Sequence, residues 1–273
     1  MFKNEACNLQ EWIEYHRLAG VEHFWMYNNG STDNWEEVLD PYIKEGLVEV
    51  MYWPTPSPQT SWVMVQVGAF KDGIQRARGQ ARWVAVIDID EFLLPIVDKN
   101  IPDCLKKRFS KASAVYVNWR NFGTSHLSLP KNEPFLFKLT SCSLRSHSNN
   151  AIGKSIVQPD KVRLENIWYP HHFPLQTGCF YVNGDNIPME FLGIDLPTDG
   201  KQHEKFLRIN HYALRDDDYF YNVRLRNADP SKKALLTEQY NSFSLTKDNQ
   251  IIKYLKKNHS KGCKTIWHVN RNG

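Results

Sequence analysis

Arg82-Trp83-Val84-Ala85-Val86-Ile87-Asp88-Ile89-Asp90-Glu91-Phe92 (RWVAVIDIDEF, 82–92) decides how this chain folds. From Arg82 to Ile89 it reads as one apolar strand, the pattern of a strand covered on both faces. Its carboxyl end carries Asp88, Asp90 and Glu91. Ligands of open α/β sheets bind at that end of the strands. Crowded carboxylates are costly to bury, and a divalent cation removes the cost; hard oxygen ligands suit magnesium or manganese. The competing reading is a solvated acidic turn, because a bare D-x-D is common.

Upstream, helix and strand alternate. Ala6–Leu18 puts Leu9, Trp12, Ile13 and His16 at helical spacing, with Gly20 as the stop. Residues 22–27 have strand length, and residues 28–33 (NNGSTD) form a turn cluster. A helix follows over residues 34–45, then a strand over 47–53. Pro54, Pro56 and Pro58 enforce an extended loop before a long helix over 62–78. This rhythm argues for a parallel, doubly wound sheet. Downstream, residues 114–119, 135–139, 154–159 and 178–182 read as short strands, and helices return after Asp216. The Asp216-Asp217-Asp218 triplet reads as a helix N-terminus, where negative charge is favourable.

The 273 residues suit one sizeable domain. A net charge of +4 accommodates a pyrophosphate but is too small to argue for duplex nucleic acid, so no nucleic-acid partner is expected. The nine tryptophans suit stacking on sugars and bases as well as a Trp-rich core. Five cysteines without a C-x-x-C pair disfavour structural zinc and favour free thiols. No run approaches the roughly 20 apolar residues of a membrane span. Asn29-Gly30-Ser31 is a glycosylation sequon inside the turn that would hold a ligand. A cytoplasmic location follows as the expectation, with the inner face of a membrane as a place of peripheral contact through the basic tail Lys253–Lys264.

Two more segments fall on the rim of Asp88: Lys3-Asn4-Glu5, and the turn ending in Asp33. Asn, Glu and Asp can hydrogen-bond a base and ribose. Asn4 and Asp33 equally sit where helix caps are favoured. Together, KNEACNLQEWIEYHRLAGVEHFWMYNNGSTD (3–33), RWVAVIDIDEFL (82–93), NWRNFGTSH (118–126), KSIVQP from Lys154 and LRINHY from Leu207 closely resemble glycosyltransferase family 92, with wider similarity to family 2. The resemblance implies a GT-A fold: an α/β, Rossmann-like mixed sheet flanked by helices, with a less regular acceptor-binding half and C-terminal helices. It implies a single domain, with a nucleotide-sugar half over about residues 1–95, an acceptor and metal half over about 96–215, and C-terminal helices over about 216–273.

Carried over residue by residue, Asp88 and Asp90 match a metal-binding D-x-D and Glu91 completes its DEF. His211 matches a histidine that completes the metal site, and Asn4, Glu5, Asp33 and Asp88 fall at donor-binding positions. Lys154 is placed for a phosphate contact, with a strand-edge lysine as the plain alternative. After INHY the sequence departs from the pattern: Val223 stands where a lysine often follows, leaving Arg215 or Arg224 as substitutes. Trp119 and Phe122 are candidates to face an acceptor sugar. Asp185, Glu190 and Asp195 are the candidates for catalytic base, lying between the two metal-ligand segments. The implied activity is inverting transfer of a hexose, with galactose a plausible donor sugar. The donor would be a nucleotide sugar such as a UDP-sugar, aided by Mn2+ (or Mg2+), and the acceptor a glycan or lipid-linked hydroxyl. The alternatives are a metal-dependent phosphotransferase or nuclease, and a carbohydrate-binding protein that has lost turnover.

Overall fold

The computed structural model describes residues 1–192, 196–197 and 199–258. Helix α1 (Ala6–Leu18) forms over the expected span and buries Leu9, Trp12, Ile13 and His16. Fully burying residues such as Leu9 and Ile13 contributes about 1.5–3 kcal/mol each. The helix stops at Gly20, whose φ of +92° is a conformation that a side chain would strain. Strand β1 (Phe24–Asn28), helix α2 (Trp35–Lys44) and strand β2 (Val48–Tyr52) follow within a residue or two of expectation. β1 and β2 pair in parallel, Phe24 opposite Val48. Helix α3 (Trp62–Ala77) is long and half-buried.

The long strand expected over residues 82–89 is corrected. Only β3 (Val84–Ala85) enters a ladder, antiparallel to Ile156 and Val157. Its other edge faces a cavity of about 600 Å³ lined by Phe24, Met26, Phe70, Ile74, Val86 and Ile89. β1 and β2 form a two-stranded sheet of their own. The chain turns through Asp88–Asp90 and re-enters the sheet as β4 (Glu91–Pro95), before helix α4 (Ile101–Arg108).

Strand β5 (Ala114–Asn121) is the sheet's axis. After β6 (Ser141–Cys142), β7 (Gly153–Val157) pairs antiparallel to β5. β8 (Tyr181–Asn183) and the far end of β12 (Leu207–His211) both run parallel to β5 on its other side. β9 (Pro188–Met189) extends β8, while β10 (Phe191–Leu192) and β11 (Leu196–Pro197) pair only with each other. β12 also pairs antiparallel to β4. The pairing is therefore mixed: parallel pairs (β1–β2, β5–β8, β5–β12) stand beside antiparallel ones, and the all-parallel doubly wound expectation is corrected. Between β5 and β12 no α-helix intervenes among the described residues, so the strands are not bound to the parallel pairing of helical crossovers. The α/β class and the mixed sheet flanked by helices are as expected of a GT-A fold.

β5 is buried on both faces, as its period of two requires. Val115 and Val117 enter the core under α1, while Ala114 and Tyr116 pack with Phe70 and Ile74 of α3. The strand expected over 135–139 is instead a turn. Both carboxylate oxygens of the buried Glu11 accept the Phe135 and Leu136 N–H groups at 2.9 and 3.1 Å, taking donors a ladder would need. The C-terminal helices begin with α5 (Asp217–Tyr219), capped by Asp216, which runs into a π-helical turn over Phe220–Leu225. α6 (Pro230–Ser242), β13 (Thr246–Lys247) and α7 (Gln250–Asn258) complete the described chain. The rest of the basic tail and Cys263 lie outside the described residues. Among the described residues, no helix is long and apolar enough to cross a membrane.

Candidate active site

The acidic turn is built by hydrogen bonds that the sequence supplies locally and from α1. The Glu91 carboxylate accepts the Asp88 N–H at 2.9 Å. The Trp12 indole N–H lies 3.1 Å from the Asp88 carbonyl and 2.9 Å from that of Glu91. Glu91 is fully buried, and burial pushes its carboxyl up to about 7. It serves the turn's backbone, leaving Asp88 and Asp90 to face outward.

The two aspartates have different partners. Asp88 lies 2.7 Å from the Lys154 ammonium of β7 and accepts from the Gln66 amide of α3 at 3.1 Å. Burial would raise the Asp88 carboxyl, but its neighbours together, the Lys154 ammonium first among them, outweigh it and hold the group below the ordinary range. Lys154 in turn keeps 2% of its side chain exposed, and its charged form is stabilised by Asp88 and Glu91 against burial. Asp90 points instead at His211, with its Oδ2 3.7 Å from the imidazole Nε2. Against burial, His211, Arg215 and Arg224 hold the Asp90 carboxyl well below its usual range.

His211 is fixed from two sides. Its Nδ1 lies 3.0 Å from the Asn121 Oδ1, and its ring stacks on Trp119 with centroids 4.2 Å apart. Asp90 and His211 thus offer a carboxylate oxygen and an imidazole nitrogen side by side. That donor set fits a manganese or magnesium ion, with the remaining positions left to donor oxygens and water. Asp88, taken up by Lys154 and Gln66, does not complete it: among the described residues no group of three His, Cys, Asp or Glu side chains is placed to hold a metal.

The donor-side residues knit two loops together. Asn4, at φ +56°, donates its backbone N–H to Ser31 Oγ at 3.0 Å and accepts the Thr32 N–H at 2.8 Å. Asp33 accepts the Ala6 N–H at 2.8 Å, so it caps α1 from a distance rather than its own helix, while its other oxygen is buried without a partner among the described residues. Glu5 is tied to Arg215 and to the Asn8 amide. Arg215, 7% exposed, also lies over the Tyr219 ring at 4.4 Å. Arg224 has a buried Nε with no partner among the described residues. Asn29, the first sequon residue, is buried, and its amide donates to the Trp53 carbonyl at 2.8 Å.

The acceptor-side expectations divide. Trp119 lies beside the Asp90–His211 pair, stacked on His211 and edge-on to His171. Phe122 is corrected: it is fully buried, stacked on Tyr212 at 4.6 Å, with no surface to present to a sugar. Asp185 accepts the Lys205 N–H at 2.7 Å and lies 3.1 Å from the His203 Nδ1, contacts that lock its own loop. Glu190 is exposed beyond β9, and Asp195 lies outside the described residues. Sequence reasoning assigned no role to Gln66, Asn121 or the Trp12 indole. Asn121 stood inside the quoted NWRNFG segment, but nothing in that segment says which strand it will face.

The family profile described as Glycosyltransferase family 92 matches residues 1–192, and the chain belongs to that family. A family 92 protein of Ricinus communis is 31% identical over 189 residues, covering 68% of this chain and 32% of that protein. One of Oryza sativa subsp. japonica is 33% identical over 187 residues, covering 67% of this chain and 30% of its own length. The chain therefore spans about a third of the curated relatives it matches. Among solved structures, S. aureus TarS 1–349 in complex with UDP-GlcNAc aligns at a TM-score of 0.37 and 13% identity, covering 92% of this chain and 75% of that one, too distant a likeness to argue from.

Proposed function

We propose that this chain is a glycosyltransferase that moves a hexose from a nucleoside-diphosphate sugar, a UDP-sugar in the first instance, to a hydroxyl of a glycan or lipid-linked acceptor. The observation that carries the reading is the Asp90–His211 pair, 3.7 Å apart, set among Lys154, Arg215 and Arg224. Lys154, Arg215 and Arg224 give three positive charges, and Glu5, Asp88 and Asp90 give three negative ones. These charges cancel before the carboxyl groups of Asp33 and Glu91 are counted. A diphosphate brings at least two further negative charges into a partly buried site, where uncompensated charge is costly. A divalent cation at Asp90 and His211 supplies the missing charge and acts as a Lewis acid toward the leaving diphosphate.

The chain's own groups do the rest. Asn4, Glu5 and Asp33 line the two loops offered to the base and ribose. Arg215 and Arg224 stand where the departing diphosphate oxygens gain charge, the electrostatic contribution that differs most between ground and transition state. Trp119 offers a ring face beside the reacting centre. Attack by the acceptor hydroxyl on the face opposite the leaving group inverts the anomeric centre and needs a base, for which the exposed Glu190 carboxylate is the candidate. Galactose is the hexose to try first. The test is a panel of nucleotide sugars incubated with and without manganese, with release of nucleoside diphosphate as the readout. Turnover of one donor that requires the metal supports the reading, and metal-independent release or no release from any donor counts against it.

A further inference from the structure

The hydrogen bonds around His211 determine which of its nitrogens carries the proton. Asn150 starts the chain of argument. Its Oδ1 lies 3.1 Å from the Asn121 backbone N–H, which can only donate, and its Nδ2 lies 2.8 Å from the Leu144 carbonyl, which can only accept. The Asn150 amide therefore has one orientation. Its Oδ1 also faces the Asn121 side chain at 2.9 Å, so the group presented there is the Asn121 NH2. The oxygen of the same Asn121 amide then faces His211 Nδ1 at 3.0 Å, and that nitrogen must be the donor. A neutral His211 consequently carries its proton on Nδ1 and its lone pair on Nε2, the atom 3.7 Å from Asp90 Oδ2.

The sheet enforces this arrangement. His211 on β12 is the register partner of Asn121 on β5, so the two side chains emerge side by side on one face. Asn121 is 2% exposed and Asn150 fully buried, which excludes water as a competing partner. The Ser143 hydroxyl donates to the same Asn150 Oδ1 at 3.0 Å, and Trp119 stacked on the imidazole limits its rotation. Neutral histidine free in water favours the opposite tautomer, with the proton on Nε2.

We propose that Asn121, itself oriented by Asn150, is a positioning residue that holds His211 in the Nδ1–H tautomer and so presents the Nε2 lone pair to the cation beside Asp90. The proposal rests on the metal-assisted reading above and names the groups that prepare its nitrogen ligand. Partners of this kind fix ring orientation and raise ligand basicity, and losing one costs about 10–100-fold in metal affinity.

The test reads the tautomer directly in metal-free protein. Histidine labelled with 15N, at about pH 8 where an ordinary imidazole is neutral, gives a two-bond 1H–15N pattern that distinguishes Nδ1–H from Nε2–H. The His211 signals are those lost in His211→Gln. The wild type is expected to show Nδ1–H, and Asn121→Ala is expected to shift His211 toward Nε2–H and to weaken manganese binding by about 10–100-fold in calorimetry. An Nε2–H pattern in the wild type overturns the proposal without recourse to any variant. An unchanged pattern in a folded Asn121→Ala protein overturns it too. An Nδ1–H pattern in a wild-type protein with a flat manganese isotherm upholds the tautomer assignment and overturns the metal reading.

Discussion

Replacing Lys154 with methionine keeps most of the side-chain volume and removes a buried ammonium from Asp88. The structure sets the size of the effect. Lys154 is 2% exposed and 2.7 Å from a carboxylate that keeps 31% of its side chain exposed. Breaking a buried ion pair by deleting one partner costs about 3–5 kcal/mol, and the partial exposure of Asp88 places this case near about 3 kcal/mol. For a chain of this size that lowers the melting temperature by about 6 °C. Asp88→Asn leaves the more deeply buried charge unpaired and should cost at least as much. The double variant, with neither charge, should be more stable than the sum of the two losses implies, by about 2 kcal/mol. Urea denaturation of the four proteins measures the cycle. Additivity within about 0.5 kcal/mol would show that the pair is not made and would undo the division of labour between Asp88 and Asp90.

Three further outcomes follow from the same geometry. His16 is buried, accepting the Leu93 N–H on Nε2 at 3.2 Å with Nδ1 2.8 Å from the Trp12 carbonyl, and burial pushes it down to about 4. The unfolded chain therefore binds the extra proton first, and stability is complete above about pH 6.5 and falls by up to about 3 kcal/mol as pH drops toward 4; denaturation curves of the wild type and His16→Gln should converge over that window. Asp90→Asn should abolish transfer by orders of magnitude while the protein still melts cooperatively, and normal turnover would return the DIDEF segment to a plain acidic turn. Phe122→Ala should cost about 3–5 kcal/mol as a core deletion while leaving the acceptor KM of the surviving folded enzyme unchanged, whereas Trp119→Ala should raise that KM.

The elements legible in the sequence are those whose signal is local. α1 repeats its apolar residues at helical spacing and stops at a glycine, and the structure keeps its span. The extent of β3 was not local: its ladder partner is Ile156–Val157, and a cavity rather than a strand lies on its other side. Residues 135–139 form a short apolar run of strand length, but Glu11 from α1 claims the Phe135 and Leu136 N–H groups. Phe122 lies one residue beyond β5, and its place in the core is set by the distant Tyr212 ring on which it stacks. The partners of Asp88 and His211 could not be read beforehand. Gln66 and Asn121 acquire their roles from α3 packing and from the β5–β12 register, neither of which leaves a trace in the neighbouring residues.

The central claim, that Asp90 and His211 hold a cation which in turn holds the donor's diphosphate, is tested most directly by calorimetric titration of UDP into the protein with manganese and, separately, with EDTA. Tight binding in manganese that disappears in EDTA and in Asp90→Asn is the predicted result. Equal affinity in manganese and EDTA would contradict it, and would assign the diphosphate to Lys154, Arg215 and Arg224 without a metal.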